Sequence, residues 1–293
     1  MIIDMHSHST ASDGTKSPAE LIQMGLSCLR EASGPAYMAL TDHDTVAGIE
    51  EYLLEASHYP DQIHAIAGIE FSTYYKNQTI HMLGYNIDRK NPELLASLER
   101  YRQDRDSRND RIIARLQETG FSISMEDIQP LEEGTAVGRP AIAMHMMKMG
   151  YVCSVKEAFD LYIGEGRPCH VPRYKPDLQE VIHLIHAAGG IAVLAHPILY
   201  TKLDREEMEA LLSMLKAMGL DGLEVYYSKN TPEYTAYCES LAESYRLIAT
   251  GGSDYHGDAK PDIQLFTGRG DLQVPEDIFR KWTGEYTVYP LYF

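Results

Sequence analysis

Cysteine is scarce and scattered: Cys28, Cys153, Cys169 and Cys238 lie far apart, with no Cys-x-x-Cys pair. That spacing excludes a disulfide framework and a thiolate zinc site, and it suits reduced thiols in the cytoplasm. Long apolar runs are missing as well. No stretch reaches the roughly 18 apolar residues a membrane-spanning helix needs. The opening Met1-Ile2-Ile3-Asp4-Met5-His6 has no basic segment and no long apolar core, so no signal peptide is expected. Basic residues are few: 26 Lys and Arg stand against 43 Asp and Glu, a formal net charge of −17. Such a surface repels polyanions unless something local reverses the field, so no stable nucleic-acid complex is expected. Bound cations are one such local reversal, because they can be the largest charges in a site. Internal repeats and low-complexity segments are absent too.

What is present fits one α/β domain carrying an insertion. The chain has 293 residues, 44% of them hydrophobic and 24% charged, which is enough to bury a large core. Short β-branched runs alternate with helical patterns, the signature of βα units. The spacing predicts strands at Ile2–His6, Ala36–Leu40, His64–Glu70, Thr79–Tyr85, Ile191–Ala195, Gly222–Tyr226 and Leu247–Thr250. Ser17-Pro18-Ala19-Glu20 reads as an N-cap, first-turn proline and capping-box glutamate; Ser154-x-x-Glu157 repeats the box, and Thr231-Pro232 opens a further helix. Gly189-Gly190 closes the helix before Ile191. Residues 99–169 break the alternation, with an arginine-studded helix (Arg100 to Arg115) and helical patterns at Pro140–Met149 and Ser154–Ile163. They read as a helical insertion between the fourth and fifth strands, which leaves 1–98 and 170–293 as the barrel.

The histidines carry the chemistry. Of 12, half stand at or near strand ends beside carboxylates. His6 and His8 are two apart at the end of the first strand, so an extended backbone points both the same way. Asp13 follows in the next loop. Asp42-His43-Asp44 ends the second strand, Glu70 the third, and His196-Pro197 the fifth; Asp254 and His256 follow the seventh. His81 lies near the start of its run, which a hairpin between the third and fourth strands would explain. In barrels of βα units, reactive side chains gather at the C-terminal ends of different strands. Imidazole with carboxylate and no thiolate suits zinc, manganese or iron. His183 and His186, three apart on a helix, read as a solvent-facing pair; His58, His64 and His145 show no obvious carboxylate partner, and His170 lies where the insertion rejoins the barrel.

Together, His6-x-His8, Asp13-Gly14, Thr41-Asp42-His43-Asp44, Gly68-Ile69-Glu70, His81, Ala195-His196-Pro197 and Gly252-Ser253-Asp254-x-His256 resemble the motifs of the polymerase and histidinol phosphatase (PHP) family. The resemblance runs from His6 to His256. It implies a distorted (β/α)7 barrel with a trinuclear centre of divalent ions (Mn, Fe or Zn). It implies that His6, His8, Glu70 and Asp254 hold one ion. Glu70 would bridge to a second held by His81 and His196, and Asp13, His43 and His256 would hold the third. Through their ions, Glu70, Asp254 and His196 are the candidate catalytic residues. Asp42 and Asp44 are candidate acceptors of imidazole N–H groups. In the insertion, Gly138-Arg139-Pro140, Gly150-Tyr151, Phe159-x-x-Tyr162-Ile163-Gly164 and Val171-Pro172 resemble the subgroup containing 3′,5′-nucleoside bisphosphate phosphatases and 5′→3′ exoribonucleases. Ala141 and Tyr227 depart from that subgroup's pattern.

The implied reaction is hydrolysis of a nucleotide or short-oligonucleotide phosphate ester by a metal-bound hydroxide. Arg139, Arg173 and Lys175 are the candidate substrate contacts: a guanidinium opening a helix is suited to grip a second phosphate. Histidinol-phosphate phosphatase is the alternative within the same chemistry, and a non-catalytic metal-stabilised scaffold the alternative outside it. The helical insertion speaks against the first, and the complete ligand set, with no appended domain, against the second. A C–N hydrolase would have no use for Asp13, His43 and His256.

Overall fold

A computed structural model describes residues 1–30, 34–76, 78–129, 137–172 and 174–276. In chain order the elements begin β1 (Ile2–Asp4), α1 (Pro18–Cys28), β2 (Ala36–Leu40), α2 (Ile49–Ala56), β3 (Ile63–Tyr75) and β4 (Gln78–Tyr85). Then come α3 (Pro92–Glu118), α4 (Arg139–Lys148) and the short α5 (Val155–Ala158). The remainder is α6 (Leu178–Ala187), β5 (Ile191–Leu194), α7 (Arg205–Met218), β6 (Gly222–Tyr227), α8 (Pro232–Ser244) and β7 (Ile248–Gly252). Two compact units result: Met1–Leu95 with Pro176–Phe293, and Ala96–Lys175. No helix among the described residues is long and apolar enough to cross a membrane.

In the first unit the seven strands form one sheet in sequence order, β1 to β7. All neighbours are parallel except β4, which runs antiparallel to both β3 and β5. The hairpin expected from the position of His81 is therefore present. The sheet nearly closes into a barrel: Met5 N donates to Gly251 O at 3.0 Å, and Ser7 bridges Tyr255 in parallel. Only glycine fits at 252, where a Cβ would come within 2.4 Å of the His6 backbone nitrogen. Alternation sorts the strand residues. Ile3, Ala39, Ile66, Leu83, Tyr85 and Val193 pack together inside, while Met38 and Leu40 of β2 pack with Leu21 and Ile22 of α1 and Tyr52 of α2.

The helix caps are where local chemistry puts them. Ser17 accepts from Glu20 N and Glu20 reaches back to Ser17 N, and Thr231 caps α8 through Tyr234 N. Ser154 accepts from Glu157 N, but the glutamate reaches the Cys153 amide, one residue earlier than a capping box predicts.

The second unit has its own core, in which Ile112 and Leu116 of α3 meet Ile142 and Met146 of α4, Ile163 and Val171. Its arginines divide. Arg102 pairs with Glu99 and Asp106 at 2.8 and 2.9 Å on the exposed face, as helical spacing predicts. Arg108 is instead buried, with its Nε donating to Val171 O at 2.8 Å, and Arg115 donates to His170 O.

Candidate metal centre

Two short pairings outside the regular sheet assemble the site. Past β1 the chain stays alongside the segment after β7: His8 N donates to Tyr255 O and Asp254 N to His6 O, each at 2.9 Å. His6 and His8 thereby face Asp254 and His256. Past β2, His43 bridges Glu70 in parallel, with Asp44 N donating to Glu70 O at 3.0 Å. Glu70 is not at a strand end as the sequence suggested. β3 runs on to Tyr75, so Glu70 sits mid-strand and the continuing hairpin carries His81 opposite Ser72.

Glu70 is the hub. Its side chain is 1% exposed, and Oε1 lies 2.9 Å from His81 Nδ1 and 2.9 Å from His196 Nε2. Oε2 lies 3.0, 3.3 and 3.4 Å from His43 Nδ1, His8 Nε2 and His6 Nε2. Asp254 Oδ1 stands 3.4 Å from both His8 Nε2 and His256 Nδ1, and 3.7 Å from His6 Nε2. Asp13 is the solvent-side member, 56% exposed, with Oδ1 3.3 Å from His256 Nε2 and Oδ2 3.8 Å from His43 Nε2.

Four ligand groups follow from this packing: His8, Asp13, His43 and His256; His6, His8 and Asp254; His6, Glu70 and His196; and His43, Glu70 and His81. Glu70 belongs to two of them.

The donors fit divalent cations by a stringent criterion. His6 Nε2, both ring nitrogens of His8, His43 Nδ1, His196 Nδ1 and Glu70 Oε2 are buried and make no hydrogen bond. An orphaned buried polar group costs about 1–3 kcal/mol, so a cluster this dense needs a partner, and convergent imidazoles and carboxylates are what such cations bind. Backbone strain marks the same place. Asp44, His196 and Asp254 have φ of 52°, 27° and 59°, values non-glycine residues avoid, and such outliers gather at functional sites.

Charge coupling is strong throughout the cluster. Burial alone would raise the Glu70 carboxyl, but His43, His81 and His6 outweigh it and hold it well below the usual range. Burial would likewise raise the Asp254 carboxyl, but His8, His6 and His256 hold it well below the usual range. For His43, burial would lower the imidazole, yet Glu70, Asp13 and Asp44 push it up to about 9. Burial prevails at His81 and His256, which lie below the ordinary value.

Around the ligands stand residues the sequence reading missed or assigned otherwise. Asp42 does not hold an imidazole: it accepts from Ser9 N and Ser9 Oγ at 2.8 and 2.7 Å and from Ser12 Oγ at 2.6 Å, fixing the loop that carries Asp13. Asp44 accepts from Ser72 N at 2.9 Å and ties the loop after β2 to β3. Glu224, unremarked in the sequence, accepts from His6 Nδ1 at 2.9 Å and His196 N at 2.7 Å. Its only signal was a carboxylate inside the apolar run Gly222–Tyr227. Tyr227 and Lys260 both donate to Asp254 Oδ2, at 2.9 and 2.8 Å. Tyr200 accepts from His81 N at 3.0 Å and donates to Ala195 O at 2.7 Å.

Among the other histidines, His183 and His186 are exposed, as their spacing suggested, and each has a carboxylate, Glu93 and Asp221, at 2.9 and 2.8 Å. His58 lies 3.6 Å from Glu55. Of the candidate substrate contacts, Arg139 opens α4 with its guanidinium over the Phe159 ring at 5.6 Å and donating to Ile163 O at 3.3 Å. Lys175 ends the second unit. Arg173 lies outside the described residues.

No family model matches the chain. Individual proteins do. A 5′-3′ exoribonuclease from Haemophilus influenzae is 34% identical over 253 residues, covering 86% of this chain and 89% of its own. A 3′,5′-nucleoside bisphosphate phosphatase from Chromobacterium violaceum is 31% identical over 255 residues, with 87% of each chain covered. Among solved structures, a Bifidobacterium adolescentis protein assigned as a metal-dependent phosphoesterase aligns with a TM-score of 0.70 at 29% identity, covering 96% of this chain and 95% of that one. Near-full-length identity above 30%, a nearly closed barrel and convergent imidazole and carboxylate donors agree: the chain belongs to the PHP family of metal-dependent phosphoesterases and is a phosphoric ester hydrolase.

Proposed function

We propose that this enzyme hydrolyses phosphate esters of nucleotides, with 3′,5′-nucleoside bisphosphates or the 5′ ends of short RNA as substrates, using three divalent ions. The observation that carries this reading is Glu70, a buried carboxylate shared by two ligand groups beside a third group built on Asp13. His6, His8, Glu70 and Asp254 would hold one ion, Glu70, His81 and His196 a second, and Asp13, His43 and His256 the third. Divalent cations there would neutralise phosphate oxygens and lower the pKa of water from about 15.7 toward about 7. Manganese, iron and zinc all suit an imidazole–carboxylate set without thiolate.

The chain's own residues set the geometry for that chemistry. Glu70 turns Oε1 toward His81 and His196 and Oε2 toward His43, His8 and His6, so it would be shared between neighbouring ions. Its carboxyl is held well below the usual range by His43, His81 and His6. Burial and the neighbouring Asp254 push the Tyr227 phenol up, so it remains a donor to that ligand.

Substrate size follows from charge. With a net charge of −17, the surface disfavours long polyanions, whereas a short end-group substrate meets chiefly the cations of the centre. Arg139, Arg173 and Lys175 are assigned to the phosphate that is not cleaved. The widely spaced cysteines suit a reducing compartment, so the reading places the enzyme in the cytoplasm.

The test is hydrolysis with added manganese, read as phosphate release from adenosine 3′,5′-bisphosphate and histidinol phosphate and as mononucleotide release from a 5′-phosphorylated dinucleotide. Release from either nucleotide in clear preference to histidinol phosphate is expected. A preference for histidinol phosphate would overturn the substrate reading while leaving the metal centre intact.

A further inference from the structure

Glu224 belongs to none of the ligand groups, yet both its oxygens are taken by residues that do. It is fully buried in β6, between Leu223 and Val225, where an apolar side chain would be the cheaper occupant. Oε1 accepts from His6 Nδ1 at 2.9 Å. A carboxylate can only accept, so Nδ1 must carry the hydrogen. The Nε2 lone pair is then presented to the cluster, 3.4 Å from Glu70 Oε2 and 3.7 Å from Asp254 Oδ1.

The second oxygen works on another element. Oε2 accepts from the backbone N–H of His196 at 2.7 Å. That residue has φ 27° and ψ 63° immediately before Pro197, a conformation that needs external support. Held there, His196 places Nε2 2.9 Å from Glu70 Oε1. One side chain on β6 therefore sets a ligand after β1 and a ligand after β5, and these two histidines share a group with Glu70.

We propose that Glu224 is a positioning residue for the metal centre, fixing the tautomer and ring direction of His6 and the strained backbone of His196 together. The proposal rests on the metal-dependent reading above. Glutamine at this position separates it from simple packing. The amide matches the carboxylate in shape, but its carbonyl can serve only one of the two donors, and its NH2 then meets the other.

The experiment uses full-length protein stripped with chelator and titrated with Mn2+ by competition against a chelating dye. Glu224→Gln should bind Mn2+ roughly 10- to 100-fold more weakly than wild type. Wild-type affinity in that variant would overturn the proposal while leaving the metal centre standing. Wild-type protein that binds no Mn2+ would overturn the metal reading and this proposal with it. Should the variant fail to fold, long-range 15N spectra of wild-type protein decide the point. The His6 signal should show the Nδ1-protonated tautomer, and an Nε2-protonated ring would refute the assignment.

Discussion

Replacing Glu70 with alanine should damage the protein far more than replacing Asp13, although both carboxylates sit among the same imidazoles. The Glu70 side chain is 1% exposed and touches His81, His196 and His43 at 3.0 Å or less, whereas Asp13 is 56% exposed with contacts of 3.3–3.8 Å. Removing one partner from a buried charged set costs about 3–5 kcal/mol; an exposed pair is worth about 0–1 kcal/mol. At about 2–4 °C per kcal/mol, chelator-stripped Glu70→Ala should melt on the order of 10 °C below wild type, and Asp13→Ala within a few degrees of it. Reloading separates them again, because Glu70 serves two ligand groups and Asp13 one. Glu70→Ala should therefore retain less manganese by elemental analysis and show no turnover. Equal melting shifts, or near-native activity in both variants, would refute the assignment of Glu70 as the shared ligand.

Further outcomes follow from single contacts. In stripped protein the folded-state imidazole of His43, pushed up to about 9, lies above its unfolded value of 6.5, so its stabilising contribution is complete below about pH 6.5 and fades as pH rises through 9. Manganese affinity should run the other way, rising with pH, because binding must expel that proton; melts and titrations between pH 6 and 10 check both signs. Asp42→Ala removes the acceptor for Ser9 and Ser12 and should cost at least about 2 kcal/mol by denaturant melts, with metal loss greatest at the group containing Asp13. Arg139→Ala should lower kcat/KM on a nucleoside bisphosphate roughly 10- to 100-fold, a charge-assisted contact being worth about 1.5–3 kcal/mol, and leave p-nitrophenyl phosphate almost unaffected. Equal losses on both would make Arg139 a structural residue, consistent with its bond to Ile163 O.

The ligand-type residues were legible in the sequence because β-strand ends announce themselves: an apolar run, then His or Asp, then a turn. The alternation of those runs with capped helices showed the βα organisation, and the barrel was what the resemblance to the PHP motifs implied. What stayed hidden depends on pairing across the sheet. Glu70 looked terminal because the polar residues after Phe71 resemble a loop, yet antiparallel pairing with β4 keeps them in the strand. Asp42 was misassigned because adjacency to His43 suggests a contact that its bonds to Ser9 and Ser12 pre-empt. Glu224 gave only a charge in a buried strand, a pattern whose purpose appears once β1 and β5 bring His6 and His196 to it. Arg108 is one of many arginines on its helix, and nothing in that run marks it as the one that a buried carbonyl at Val171, remote in sequence, draws inward.

The central claim is that these imidazoles and carboxylates hold catalytic cations. Its most direct test combines elemental analysis of protein purified without chelator with phosphate release from adenosine 3′,5′-bisphosphate before and after metal removal. The account predicts more than one transition-metal ion per chain, no release once the protein is stripped, and recovery on adding manganese. A chain purified without metal, whose activity neither manganese, zinc nor iron restores, would contradict it.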